Sequence, residues 1–224
     1  MSSQAEVGVL QHDVLEQRPA LRGVLHLCAA VAAALGAAWL LLIADSASAY
    51  VGGGIFGASL VLLYGTSASY HRVVWRPTAR RVLKRLDHAM IFVLIGGTYT
   101  PFCLEVSLAW GIPLLSVVWG LAGAGALLKI AWPDAPRGLS VALYVGLGWL
   151  ALVAASEVVA EFPVGPLVML PLGGVLYTVG AVVYAVGRPN PWPRVFGYHE
   201  VFHAFVVAGS AVHFSLVAVY VLPS

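Results

Sequence analysis

A chain of 224 residues that is 60% hydrophobic and 10% charged, with a mean hydropathy of +0.89, is not an ordinary soluble domain; such domains carry about 25% charged residues. The net charge of +2 says little by itself. Two cysteines cannot build a disulfide framework, and no CxxC pattern offers a redox or metal site.

Residues 1–22 read as a polar segment and residues 23–224 as one transmembrane domain. Apolar runs near the roughly 20 residues needed to cross a bilayer recur at about 24–43, 50–70, 89–107, 112–131, 139–157, 165–186 and 199–221. Only helices satisfy their own backbone in lipid one segment at a time. The pattern therefore predicts an all-α integral membrane protein, a seven-transmembrane-helix bundle in the cell membrane. The first run follows Arg18 and Arg22 and precedes Ser46–Ala49, as in a cleaved leader. It exceeds the apolar length of a leader, roughly 7–15 residues, and is read as a helix. Cys28 falls early in the first run and Cys103 late in the third, so they are read as two small apolar side chains at opposite depths.

Alternating the loops places all 12 lysines and arginines on one side. Arg18 and Arg22 precede the first run; Arg72, Arg76, Arg80, Arg81, Lys84 and Arg85 lie between the second and third. Lys129 and Arg137 flank the loop after the fourth, and Arg188 and Arg194 that after the sixth. Asp45, Glu105, Glu157 and Glu161 fall on the other side. The positive-inside rule then gives a cytoplasmic N-terminus and an outside C-terminus. The basic run Arg72–Arg85 is read as a topology signal, with anionic lipid as the competing reading. No exposed domain is present to carry nucleic-acid binding.

With orientation assigned, sequence positions become depths. His71 ends the second helix at the cytoplasmic side, with Ser67 one turn deeper on the same face. Asp87 and His88 open the third span at that level, and His199, Glu200 and His203 open the seventh. His199 and His203 are i and i+4, so both imidazoles leave one face, a spacing that suits a single zinc ion. A catalytic zinc takes three protein ligands, and His71 is the third candidate because it shares the depth from a different helix. Asp87 is read either as a helix cap or as the carboxylate that takes a proton from the metal's water. Ser67 either bonds back to its own helix or orients Asp87 or a substrate carbonyl. His88 points elsewhere around its helix and is read as structural. His26, just inside the first helix, and His213, about 15 Å deeper than His203 at about 1.5 Å per residue, are read as packing histidines outside the metal set. His12 carries no signal. Gly96 and Gly97 allow close helix approach, and Pro101 is expected to kink the third helix near Gly97.

The blocks "SASYH" (67–71), "KRLDHAMIFVLIGGTYTPF" (84–102) and "GYHEVFHAFVVAGSAVHF" (197–214) resemble the signatures of the hemolysin III family, grouped with the progestin and adiponectin receptors and, more distantly, the alkaline ceramidases. The resemblance covers essentially the whole transmembrane region. It implies a seven-helix protein with zinc held by three histidines near the cytoplasmic face: His71, His199 and His203, with Ser67 and Asp87 beside them. The chain departs from the pattern entering the first helix. Many relatives carry a Glu-x-x-Asn-like motif and a Thr-His pair there; this chain has "RPALRGVLH", in which only His26 corresponds.

The leading expectation is a zinc-dependent hydrolase of a lipid amide or related acyl bond, with a membrane lipid as substrate or ligand. Asp87 would accept the proton and Ser67 would assist. His-Glu-x-x-His is also the zincin pattern, which would make Glu200 the general base of an intramembrane protease. A third reading is non-enzymatic: a receptor-like or regulatory protein with a structural zinc. A cytolytic pore finds little support, because no polar stripe runs the depth of any helix.

Overall fold

Every apolar run is a helix in the computed structural model, which describes residues 19–222. His12 and Arg18 lie outside the described residues. The first four spans are α1 (Val24–Ile43), α2 (Ala47–Arg72), α3 (Pro77–Glu105) and α4 (Leu108–Ala131). The fifth is composite: α5 (Arg137–Gly148), a 3-10 segment (Trp149–Ala154) and α6 (Ala155–Glu161). The sixth is α7 (Val164–Val186), and the seventh is α8 (Tyr198–Leu216), ending in a π-helical turn, Val217–Val221. No β-strand occurs among the described residues, only an isolated bridge between Trp192 and Phe196.

Among the described residues six spans are long and apolar enough to cross a bilayer, by length and composition. α3 is the exception in composition, not in length, with 29 residues. It begins ten or more residues before the apolar run, taking in the basic segment after Pro77. The residue before a proline avoids helical geometry and the proline itself suits the first turn, so Pro77 starts the helix. This start decides the role of Asp87. It lies in the third turn of a helix already under way, and is not a cap.

α2 is flanked by α1 and α3, α3 packs along α4, α7 along α8, and α8 also meets α1. One apolar core joins Phe56, Leu60 and Leu63 of α2 to Leu40, Leu94 and Val206. A second joins Phe92 and Tyr99 of α3 to Val118, Ala122 and Leu147. Ser46, part of the leader-like small-residue stretch, caps α2 by accepting from the Ala49 amide at 3.1 Å. Cys28 and Cys103 are both free thiols.

At Gly97 the close approach expected from the sequence is present: a Cβ there would collide with Ser59 Oγ of α2. Pro101 is accommodated inside α3 without ending it. α3 runs unbroken to Glu105, and the hydroxyls of Thr98 and Thr100 donate to the carbonyls of Leu94 and Gly96 at 2.8 and 2.9 Å. The irregular backbone is in the facing fifth span. There the Tyr99 hydroxyl donates to the Gly148 carbonyl at 2.8 Å and accepts from the Ala151 amide at 2.7 Å. A tyrosine thus serves the backbone groups that the change from α to 3-10 geometry leaves open.

The fifth span packs only sparsely against α3, α4 and α7. A cavity of about 790 Å³ fills the space between it and α3, α4, α7 and α8. It runs from Lys84, Lys129 and Arg137 at the basic end to Val106, Trp110 and Glu157 at the other.

Candidate metal centre

α2 ends at Arg72, which places His71 in its last turn. α8 starts at Tyr198, which places His199 and His203 in its first two turns. The start of α8 is built carefully. The Gly197 amide donates to Glu200 Oε2 at 2.8 Å and the Tyr198 amide to Asn190 Oδ1 at 2.9 Å, so two of the open donors of the first turn are met. Glu200 also pairs with the Arg22 guanidinium and is buried to 1% exposure. The chain entering α1 is tied to the loop before α8, with the amides of Ala20 and Leu21 donating to the carbonyls of Arg194 and Val195 at 3.0 and 3.1 Å. Gly23 follows at φ 77°, and a Cβ there would sit 2.7 Å from His71 Cβ. Only glycine both adopts this backbone and leaves room for the histidine.

These ties bring His71, His199 and His203 together, one nitrogen from each lying within 4.8 Å of the others. The ring centroids are 4.8 Å apart for His71–His199, 4.6 Å for His199–His203 and 5.4 Å for His71–His203. Nε2 of His199 and Nδ1 of His203 are buried without a hydrogen-bond partner. Leaving a buried polar atom unpaired costs about 1–3 kcal/mol. Three converging imidazoles with two such nitrogens fit a divalent metal, and zinc in particular suits this donor set.

Asp87 Oδ2 is 3.7 Å from His71 Nε2. Ser67 lies one turn below His71, but its first partner is not Asp87. Its hydroxyl is 2.8 Å from Nδ1 of His26, and it also faces the Asp87 carboxylate. His26 lies flat on His203, with centroids 3.5 Å apart and planes 9° from parallel. From the sequence alone His26 is expected to be a packing residue outside the metal set. It does pack, and what it packs against is the histidine cluster. Its position at the cytoplasmic entry of α1, the same depth as the others, was the available signal.

His213 keeps its expected role: its Nε2 is 3.1 Å from the Leu170 carbonyl of α7. It also lines the cavity, as do His26, Ser67, Asp87, His199 and His203. His88 stays outside the cluster, and its carbonyl accepts from the Tyr144 hydroxyl at 3.2 Å.

The model of the haemolysin-III related family matches residues 15–214, which contain this whole arrangement. The chain belongs to the haemolysin-III related family. It is 37% identical over 167 residues to the hemolysin-3 homolog of Bacillus subtilis (strain 168), covering 74% of this chain and 75% of that one. It is 35% identical over 182 residues to hemolysin-3 of Bacillus cereus, covering 80% and 79%. A more distant likeness, 26% over 180 residues, is to the adiponectin receptor protein of Drosophila melanogaster, 72% of this chain and 40% of that longer one. The resemblance read from the three sequence blocks is thus the correct one, and this haemolysin-III related protein is a multi-pass membrane protein.

Proposed function

We propose that this haemolysin-III related protein is a zinc-dependent hydrolase of a lipid amide or related acyl bond. The observation that carries the reading is the meeting of three imidazoles, from α2 and α8, beside a cavity of about 790 Å³ that continues between apolar helices. His71, His199 and His203 would hold the zinc, which when bound polarises a carbonyl and brings the pKa of water to about 7. Asp87 Oδ2 is the carboxylate beside the cluster, 3.7 Å from His71, and is assigned the proton taken up during hydrolysis. Ser67 holds His26, and His26 in turn backs the ring of His203, so the pair keeps a ligand at its angle. The cavity receives the acyl chain and keeps bulk water away from the site.

The zincin reading loses its base. Glu200 is spent on Arg22 and on the Gly197 amide, at the start of α8. A structural zinc is the competing reading with an observation behind it, because Asp87 is close enough to His71 to serve as a fourth ligand.

The test combines metal content with turnover on detergent-purified protein. Near-stoichiometric zinc that is lost in His71→Ala and kept in Glu200→Gln supports the three-histidine site. Release of fatty acid from long-chain N-acyl amines by the wild type, absent in an Asp87→Asn variant that keeps its zinc, supports the hydrolase. Bound zinc with no turnover of any lipid amide or ester overturns the hydrolase in favour of a structural metal. A wild type without zinc overturns both.

A further inference from the structure

At its basic end the cavity holds three cations from three elements: Lys84 of α3, Lys129 of α4 and Arg137 of α5. A topology signal requires positive charge on the cytoplasmic side, and solvated loop residues meet that requirement. Lys129 is not such a residue. It is 3% exposed, and its ammonium donates to Ser140 Oγ at 3.0 Å and the Pro133 carbonyl at 3.4 Å, two neutral acceptors. Arg137 lies over the rings of Tyr184 and Tyr198, 5.8 and 6.0 Å from their centroids. Among the described residues neither has a carboxylate in ion-pair reach. Lys84 does, with Asp134 Oδ1 at 2.6 Å. Of the two carboxylates near this end of the cavity, Asp134 is taken by Lys84 and Asp87 lies beside His71, so neither Lys129 nor Arg137 has an anion paired to it, and Lys129 is buried.

A buried cation left without an anion is costly, and the cost falls when a ligand supplies the counter-charge. The apolar remainder of the same cavity matches a hydrocarbon chain. We infer that the cavity binds a single-chain amphiphile with an anionic phosphate or carboxylate head, held at the cytoplasmic mouth by Lys129 and Arg137 while its chain lies between α3, α4, α5 and α7. The Tyr184 ring connects this mouth to the histidine cluster, lying under Arg137 on one side and 5.8 Å from the His199 ring on the other. A ligand anchored at the mouth thus passes the candidate metal centre. The binding itself needs neither metal nor turnover, and stands independently of the hydrolase reading.

The test uses the full chain in phosphatidylcholine nanodiscs with chelator present, which separates head binding from any metal effect. Thermal stabilisation is titrated with dodecyl phosphate, dodecanol and inorganic phosphate. Dodecyl phosphate should act at a concentration at least about tenfold below either of the others. Lys129→Met and Arg137→Gln should each raise its half-maximal concentration about tenfold, the usual effect of losing a hydrogen bond to a charged group. Asp134→Asn, which frees Lys84, should lower it about twofold to threefold, a gain that a damaged fold does not produce. Equal potency of inorganic phosphate would mean a free-anion site, and overturn the amphiphile. Equal potency of dodecanol, or no response to the three substitutions, would mean that the head is not read and overturn the inference.

Discussion

The ring of His26 stacks on that of His203 with 3.5 Å between centroids, while its Nδ1 lies 2.8 Å from the Ser67 hydroxyl. α1 thereby contributes to a site whose three candidate ligands come from α2 and α8. Replacing His26 with Phe keeps the stacking surface and removes the bond to Ser67. Zinc stoichiometry at saturation should persist, and zinc affinity should fall about 10-fold to 100-fold, as for other residues that hold a metal ligand in place. Competition with a chromogenic chelator measures this; an unchanged affinity would reduce His26 to packing.

The pairing of Arg22 with buried Glu200 predicts an asymmetric response to mutation. Arg22→Leu alone leaves a carboxylate in the core and should cost about 3–5 kcal/mol. Adding Glu200→Gln removes the charge and keeps an acceptor for the Gly197 amide, so the double variant should regain most of the loss. Thermal unfolding in detergent of the two single variants and the double variant completes the cycle.

Gly23 should tolerate no side chain. Gly23→Ala combines a left-handed backbone, worth about 1–2 kcal/mol against an L-residue, with a 2.7 Å approach to His71 Cβ. The expected outcome is a lower Tm together with reduced zinc content, because the atom displaced belongs to a candidate ligand. A stable variant with full zinc would show that the entry to α1 does not position His71.

Chelation offers a test that needs no mutation. A ligand that binds only the folded state stabilises it by about 2.7 kcal/mol at 100 times its dissociation constant. Phenanthroline should therefore lower the Tm of the wild type and leave that of His203→Ala unmoved.

Tyr99→Phe should loosen the fifth span from α3. The hydroxyl serves the Gly148 carbonyl and the Ala151 amide, and losing it leaves two backbone groups unpaired, at about 1–3 kcal/mol for each that stays buried. Faster hydrogen exchange limited to residues 147–154 would be the signature.

Much of this protein was determined by the sequence alone, for a physical reason. Bilayer thickness acts on each apolar run separately, and charge bias acts on each loop, so the spans and their direction depend on local composition. Depth follows from the direction, and that was enough to bring His71, Asp87, His199 and His203 to one level. The rotation of each helix about its axis is set by its neighbours, and this only the tertiary structure decided. It turned His26 onto His203 and Ser67 toward His26. It gave Glu200 to Arg22, removing the base that His-Glu-x-x-His had suggested, and it buried Lys129 at the mouth of the cavity. The start of α3 at Pro77, well before its apolar run, likewise put Asp87 inside a helix instead of at its cap. Hydropathy reports how much of a segment is apolar; which atoms touch is a property of packing between segments distant in the chain.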